Sequence, residues 1–336
     1  MTKVKVFLPT YRRNNTLKRS VNSLLDQSYT NWLCEVHNDD PLDTFPIEYI
    51  NSLNDDRFKL VTHSQNLGPV ATFNKMFDAT ECEYICLLED DNWWEKNFLE
   101  TMCAEMHKHP ECGIGFSNIY LWQEKLNDQW EKLPLTLWPD EKEKYKLITF
   151  PQPRHIFHYH HSSCSIIIRN SATIANYIVP GNTRFDFIEP VRERAFPHPL
   201  LFINLPLANF ALTNTTSRPK TITGIYEHYL LLIDSFFKCI EPGDEYIKYL
   251  WDDARKSNLL SYNKLLYTGL ICKASRKLLK HATIKEWVVF LLYNIKHPTV
   301  FMNCVKAKKS YAVLWEYLLT NTQDQFLISN HKQEII

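Results

Sequence analysis

Short apolar runs alternate with helical-period stretches through the first 120 residues of the chain. Val4-Lys5-Val6-Phe7-Leu8 reads as a strand closed by Pro9, and Trp32 to Val36 and Phe58 to Val61 as two more. Tyr84 to Leu88 is apolar throughout, as a strand covered on both faces requires. Between the strands, Leu17, Val21, Leu24 and Leu25 recur at helical spacing behind Asn14 or Asn15 as a cap. Pro69 suits the first turn of a helix that buries Val70, Phe73, Met76 and Phe77. This order predicts a parallel, doubly wound sheet, which binds ligands beyond the carboxyl ends of its strands.

From about 113 to 210 the pattern shortens. Gly113 to Ile119, Cys164 to Ile168 and Leu200 to Asn204 read as strands, and the polar, aromatic stretch Trp122 to Lys146 as a mobile or acceptor-facing loop. After about 222 the period becomes helical, with segments near 225–240, 243–259, 261–281 and 284–295. The expected organisation is an α/β domain over 1–220, in halves 1–120 and 121–220, followed by a helical extension over 221–336.

Composition narrows the chemistry. Lysine plus arginine equals aspartate plus glutamate at 38 each, so no global field favours nucleic acid. Nine cysteines lie scattered without a CxxC pair, several in apolar runs, and read as reduced thiols of a cytoplasmic protein. The N-terminus runs straight into a strand without a targeting segment, and the longest apolar stretch, Trp287 to Tyr293, is far too short to span a bilayer. Seven glycines form neither a GxGxxG nor a P-loop pattern.

Three strand ends finish in polar or acidic residues: Leu8-Pro9-Thr10-Tyr11, Val36-His37-Asn38-Asp39 and Leu88-Glu89-Asp90-Asp91-Asn92. In a parallel sheet such ends share a rim. Converging carboxylates are costly there unless a cation joins them, and a hard ion such as Mg²⁺ or Mn²⁺ suits oxygen ligands. Asp90 and Asp91 equally suit the cap of a helix entered at Trp93-Trp94-Glu95, so these residues alone leave both readings open.

Five ordered motifs are similar to those of the family 2 glycosyltransferases, which have the GT-A fold, a Rossmann-like mixed sheet. They are Phe7-Leu8-Pro9-Thr10-Tyr11-Arg12, Leu24 to Trp32, Glu35-Val36-His37-Asn38-Asp39, Asn66-Leu67-Gly68-Pro69-Val70-Ala71 with Asn74, and Tyr84 to Asn92. The match covers residues 3–120 and continues more weakly to about 218. The resemblance implies that Pro9, Thr10, Tyr11, Asn38, Asp39 and Asn74 hold the nucleotide. It makes Asp91 the metal ligand and Asp90 a ribose or water-mediated metal contact. Glu89 stands at the first acidic position of the metal motif. It further implies a base that takes the acceptor's proton, at Asp186 by its spacing to Arg192 and Leu205-Pro206-Leu207, with Glu189 as competitor. Thr213 to Arg218 corresponds to the segment that closes over the diphosphate. This chain departs from the family at Asn38, where an aspartate is usual, at Phe73, where an arginine is frequent, and in lacking a histidine within 213–218.

The activity so implied is metal-dependent, inverting transfer from a nucleoside-diphosphate sugar, a UDP-sugar foremost, to a glycan or lipid-linked acceptor in bacterial surface-polysaccharide synthesis. A nucleotidyltransferase is the rival enzyme, and a catalytically inactive sugar-nucleotide-binding scaffold the rival from another class. His155, His158, His160 and His161 lack further ligands at zinc spacing and read as acceptor contacts or plain surface. Trp93 and Trp94 suit either sugar stacking or core. The basic run of Lys273, Arg276, Lys277, Lys280, His281, Lys285, Lys296, Lys306, Lys308 and Lys309 suggests peripheral contact with an anionic membrane. The alternative is that the interleaved apolar faces pack on the protein.

Overall fold

A computed structural model describes residues 3–126, 129–214, 224–257 and 261–333. The chain forms two compact units that interleave along the sequence. The first comprises Met1–Thr149, His161–Ile178 and Phe196–Ser217, and the second Phe150–His160, Val179–Ala195 and Arg218–Ile336. Asp186 and Glu189 thus belong to the second unit.

The first unit is built on a mixed sheet of ten strands. β1 (Val4–Thr10), β2 (Trp32–Asn38), β3 (Phe58–Thr62) and β4 (Tyr84–Leu87) are mutually parallel in the order β3-β2-β1-β4. The sheet continues through β9 (Ile166–Arg169), β6 (Ile114–Glu124), β10 (Leu200–Leu212) and β5 (Trp93–Trp94), with β7 (Trp130–Thr136) on β6 and β8 (Tyr145–Ile148) on β10. β9 runs antiparallel to both β4 and β6, which makes the sheet mixed. β1 is buried along its whole length, and Val4, Val6 and Leu8 join Leu17, Val21 and Leu24 of α1 (Asn14–Leu25) in the main core. α2 (Phe45–Ser52), α3 (Pro69–Asn74) and α4 (Phe98–Lys108) complete the βα crossovers.

Several expectations are corrected. Trp122 to Lys146 is not a loop, because β6 extends to Glu124 and β7 and β8 follow. β7 is half-buried to exposed along its length, so its sequence carries no apolar alternation. β10 runs on through Pro206 to Leu212, and the register shifts around Pro206 show how a proline fits inside a strand. Neither Asn14 nor Asn15 caps α1. Arg13 occupies the cap position, and its carbonyl accepts from the N–H groups of Thr16 and Leu17.

The second unit is helical: α5 (Ile188–Arg192), α6 (Ile225–Ile240), α7 (Asp244–Ser257), α8 (Asn263–Ile271), α9 (Ile284–Lys296), α10 (Pro298–Ser310) and α11 (Ala312–Gln333). The helix expected over 261–281 breaks at Cys272, and Lys273–His281 continues as 3-10 turns. Buried Arg194 ties the unit together, donating to Thr322 Oγ1 at 2.8 Å and to the carbonyls of Ile156 and Leu232 at 2.7 and 3.0 Å. All nine cysteines are free. Among the described residues no helix is long and apolar enough to cross a membrane.

Candidate active site

The parallel register sets the ends of β1, β2 and β4 side by side. Thr10 pairs with Asn38, and Leu88 N–H donates to the Phe7 carbonyl at 3.0 Å. Just beyond this rim β4 turns through Glu89-Asp90-Asp91-Asn92. Asp90 is buried and accepts from the Tyr11 backbone N–H at 3.3 Å. Burial pushes its carboxyl up to about 6, against the pull of the Arg13 guanidinium and of the Tyr11 N–H. Asp91 is half-buried and accepts from the Arg13 guanidinium, which also lies 3.9 Å from Asp90.

The turn is not a helix cap. Trp93 and Trp94 form β5 against Ala208 and Asn209, and the next helix, α4, begins only at Phe98. Asn92 fixes the turn's shape: its side-chain amide donates to Glu89 at 2.7 Å and its Oδ1 accepts from Ala211 N–H at 2.9 Å. Ser20 Oγ donates to the Asn92 carbonyl at 2.6 Å. Trp94 is core, stacked on Phe98, with its indole N–H on the Cys164 carbonyl.

Arg13 and Arg19 are the members that sequence reading missed. Arg19 donates to the Asp91 carbonyl at 2.7 Å while its guanidinium lies 3.8 Å from the Trp93 ring and 4.2 Å from that of Trp130. Burial lowers Arg19 to about 10, so it stays charged at neutral pH. The available signal was an arginine at the cap of the helix that follows a polar strand end, and a second one six residues on.

The second strand end serves the turn beside it. Asn38 donates to the Asp43 carbonyl at 2.9 Å and accepts from Asp40 N–H at 3.0 Å. Buried Asp39 accepts from the N–H groups of Leu67 and Gly68 at 2.8 and 3.0 Å and contacts His63 Nδ1 at 2.9 Å. It therefore shapes the loop that leads into α3 and Asn74. His63 in turn meets His37 at 3.0 Å, and burial pulls His37 down to about 4, leaving it neutral at pH 7. Tyr11 is exposed at the rim, whereas Pro9 and Thr10 are buried.

In the second unit, Asp186 sits in a 3-10 turn ahead of α5 and makes no side-chain cap. Arg184 holds both of its oxygens at 2.9 Å. Glu189 lies on α5, where its charge offsets the burial that lowers Arg192 to about 10. Residues 215–218 of the expected diphosphate-closing segment lie outside the described residues. Of the four histidines, His155, His160 and His161 are buried, so the surface reading fails for them. His158 is half-buried and meets Asp253 at 3.2 Å. His155, His160 and Glu193 gather closely enough for a metal. However, His155 Nδ1 accepts from Gln152 N–H at 2.9 Å, which leaves the proton on Nε2, the nitrogen facing Glu193 at 3.8 Å. A metal there would require an imidazolate, so the trio reads as a hydrogen-bonded cluster.

The raised Asp90 gives a prediction with a definite sign. Its folded value near 6 exceeds its ordinary 3.8, so the metal-free native state binds more protons and loses stability as pH rises from 3.8 to 6. His37 acts oppositely, costing stability as pH falls below its ordinary 6.5. Subtracting the Asp90→Asn profile isolates the first effect. The variant should gain on the order of 3 kcal/mol at most over wild type at pH 7, shrinking toward pH 4, by metal-free thermal melts. Parallel profiles would contradict it.

Residues 5–172, half of the chain, match the family model described as Glycosyl transferase family 2. WcaA of Escherichia coli K12, whose name places it in colanic acid biosynthesis as a glycosyl transferase, is 27% identical over 133 residues, 39% of this chain and 48% of WcaA. The UDP-Glc:alpha-D-GlcNAc-diphosphoundecaprenol beta-1,3-glucosyltransferase WfgD of Escherichia coli is 29% identical over 106 residues, 32% of this chain and 42% of WfgD. The chain thus spans about half the length of the curated relatives it matches. The crystal structure of S. aureus TarS 1-349 in complex with UDP-GlcNAc aligns with a TM-score of 0.55 at 14% identity, over 99% of this chain and 91% of that one. That likeness concerns the fold.

Proposed function

This chain belongs to glycosyl transferase family 2, and from that premise we propose that it transfers a sugar from a nucleoside diphosphate to a glycan or lipid-linked hydroxyl, with inversion and a divalent cation. The carrying observation is the acidic turn after β4. Its side chains offer carboxylate oxygens as ligand atoms, and an arginine, Arg13, already stands on Asp91 as a cation. Such a donor set fits Mn²⁺ or Mg²⁺, with Asp91 as ligand, Asp90 beside it and Glu89 as a lesser contributor. A cation so held would offset the charge that develops on the departing diphosphate.

The chain's own residues supply the rest. Pro9, Thr10, Tyr11, Asn38 and Asp39 line the rim where the nucleoside would sit, with Asp39 acting through the Leu67–Gly68 loop that leads to Asn74. Asp186 accepts the acceptor's proton, and Glu189 steadies Arg192. We assign the catalytic work to residues 1–220 and a peripheral membrane role to 221–336, with a cytoplasmic active site. UDP is the favoured nucleotide because WfgD, 29% identical over 106 residues, is named for UDP-Glc. The setting would be synthesis of a bacterial surface polysaccharide, as WcaA's name suggests for that relative.

A thermal-shift screen of UDP, GDP and dTDP, each with and without Mn²⁺, tests the reading. Binding at about 100-fold above Kd stabilises by roughly 2.7 kcal/mol, and UDP with Mn²⁺ should give the largest shift. No metal-dependent shift with any nucleoside diphosphate would refute it. Preference for a nucleoside triphosphate would favour the nucleotidyltransferase reading. Tight UDP-sugar binding without transfer or hydrolysis would favour the scaffold.

A further inference from the structure

α9 faces solvent with its apolar side. The helix opens on a capping box, in which Thr283 Oγ1 accepts from Glu286 N–H and Glu286 accepts from Thr283 N–H. Its inner side is held by Phe290, packed on Tyr267 at 4.9 Å, and by Asn294, which accepts from the Tyr267 hydroxyl at 3.0 Å. Glu286 on the same side binds Arg255 at 2.8 Å. The outer side carries Ile284, Val288, Leu291, Leu292 and Ile295, between 49% and 85% exposed. At 3.6 residues per turn these five fall within about 100° of arc. An apolar stripe of that width normally faces a core, and here it has none among the described residues of its unit. The alternative that the interleaved apolar faces pack on the protein thus holds for Phe290 but not for these five side chains.

Charge says what covers the stripe. Lys285 and Lys296 are exposed along its flank, and α10 adds exposed Met302 and Val305 beside exposed Lys306 and Lys309. Between Ile284 and Ser310 the chain has five lysines against one acid, Glu286, which Arg255 already neutralises. Lys308 is committed to buried Asp234. The exposed charges of α9 and α10 are therefore cationic, and lysines of that kind beside a shallow apolar stripe suit anionic lipid headgroups over acyl chains.

We propose that α9 lies in the surface of an anionic bilayer, inserting Ile284, Val288, Leu291, Leu292 and Ile295, with Lys285, Lys296, Lys306 and Lys309 on the headgroups. This deepens the membrane role proposed above and narrows the basic run over 273–309 to a defined face. The helix lies on the membrane and does not cross it, consistent with its thirteen residues.

The test uses the full chain and sedimentation with two vesicle types, phosphatidylcholine alone and phosphatidylcholine with phosphatidylglycerol. The mixed vesicles should pellet the protein far better, and less so as salt rises. Leu291→Ser with Ile295→Ser should weaken partition on the order of tenfold, with an unchanged melting temperature because both side chains are exposed. Lys285→Gln or Lys296→Gln should each cost about fivefold on the mixed vesicles. Equal binding to both vesicle types, binding untouched by the double variant, or no binding at all would overturn the proposal. So would a concentration-dependent dimer that the double variant abolishes in the absence of vesicle binding, which would make a second copy the occupant. Titrating UDP with Mn²⁺ into the same samples separates the readings. Normal nucleotide binding with no vesicle binding removes the membrane face alone, and the reverse removes the donor assignment alone.

Discussion

Asp91→Asn should abolish metal-dependent binding of UDP while leaving the melting temperature nearly unchanged. The side chain is half-buried at the tip of the turn, and the turn's shape is held by other groups: Asn92 to Glu89 and Ala211, and Ser20 to Asn92. Asparagine keeps the volume and one carbonyl oxygen but loses the charge that a hard cation requires. Loss of an outer partner of a metal ligand commonly costs about 10–100-fold in affinity, and loss of the ligand should cost more. Calorimetric titration of UDP with Mn²⁺ into wild type and variant is the measurement. Arg13 makes the result informative in a second way, because its guanidinium shares Asp91 in the metal-free protein. Metal must displace it, so Mn²⁺ alone should bind wild type weakly and bind better with UDP present. Unchanged affinity for UDP and Mn²⁺ in Asp91→Asn would remove this residue from the metal site.

The acidic turn could be read from sequence because all of its chemistry lies in four consecutive residues after an apolar strand. Its partners could not. Arg13 and Arg19 meet Asp91 across more than seventy residues of chain, and only the parallel register of β1 and β4 brings them together. β7 was hidden because an exposed strand needs no apolar alternation, and the length of β10 was hidden by Pro206. α10 and α11 fell outside the expected helices. In α11 the buried positions include Thr322 and Gln325 beside Leu314 and Leu318, so half of its inner face is polar and the period is faint. α9 shows the complementary limit. Periodicity reveals that a helix has an apolar side but not whether protein or lipid covers it, and only the side chains of Phe290 and Asn294 against Tyr267 decide which way it faces.

Asp186→Asn should keep nucleotide affinity and lose about 10²–10⁴ in turnover, the usual cost of removing a general base. Asp186 alone satisfies both intervals that the family resemblance requires, six residues to Arg192 and twenty to Pro206. Its carboxylate is oriented by Arg184, which takes two of about four lone-pair sites and leaves the others for an acceptor hydroxyl. Glu189 sits one helical turn on and does different work. Its charge supports a buried Arg192, so Glu189→Gln should lower the melting temperature while each folded molecule keeps most of its turnover. The two variants therefore separate on two axes, turnover per folded enzyme and thermal stability. Asp186→Glu offers a further check, since a base tolerates the longer carboxylate better than it tolerates an amide. If Glu189→Gln is the dead enzyme and Asp186→Asn remains active, the base lies one turn further along, and Arg184 then serves only to hold the turn that opens α5.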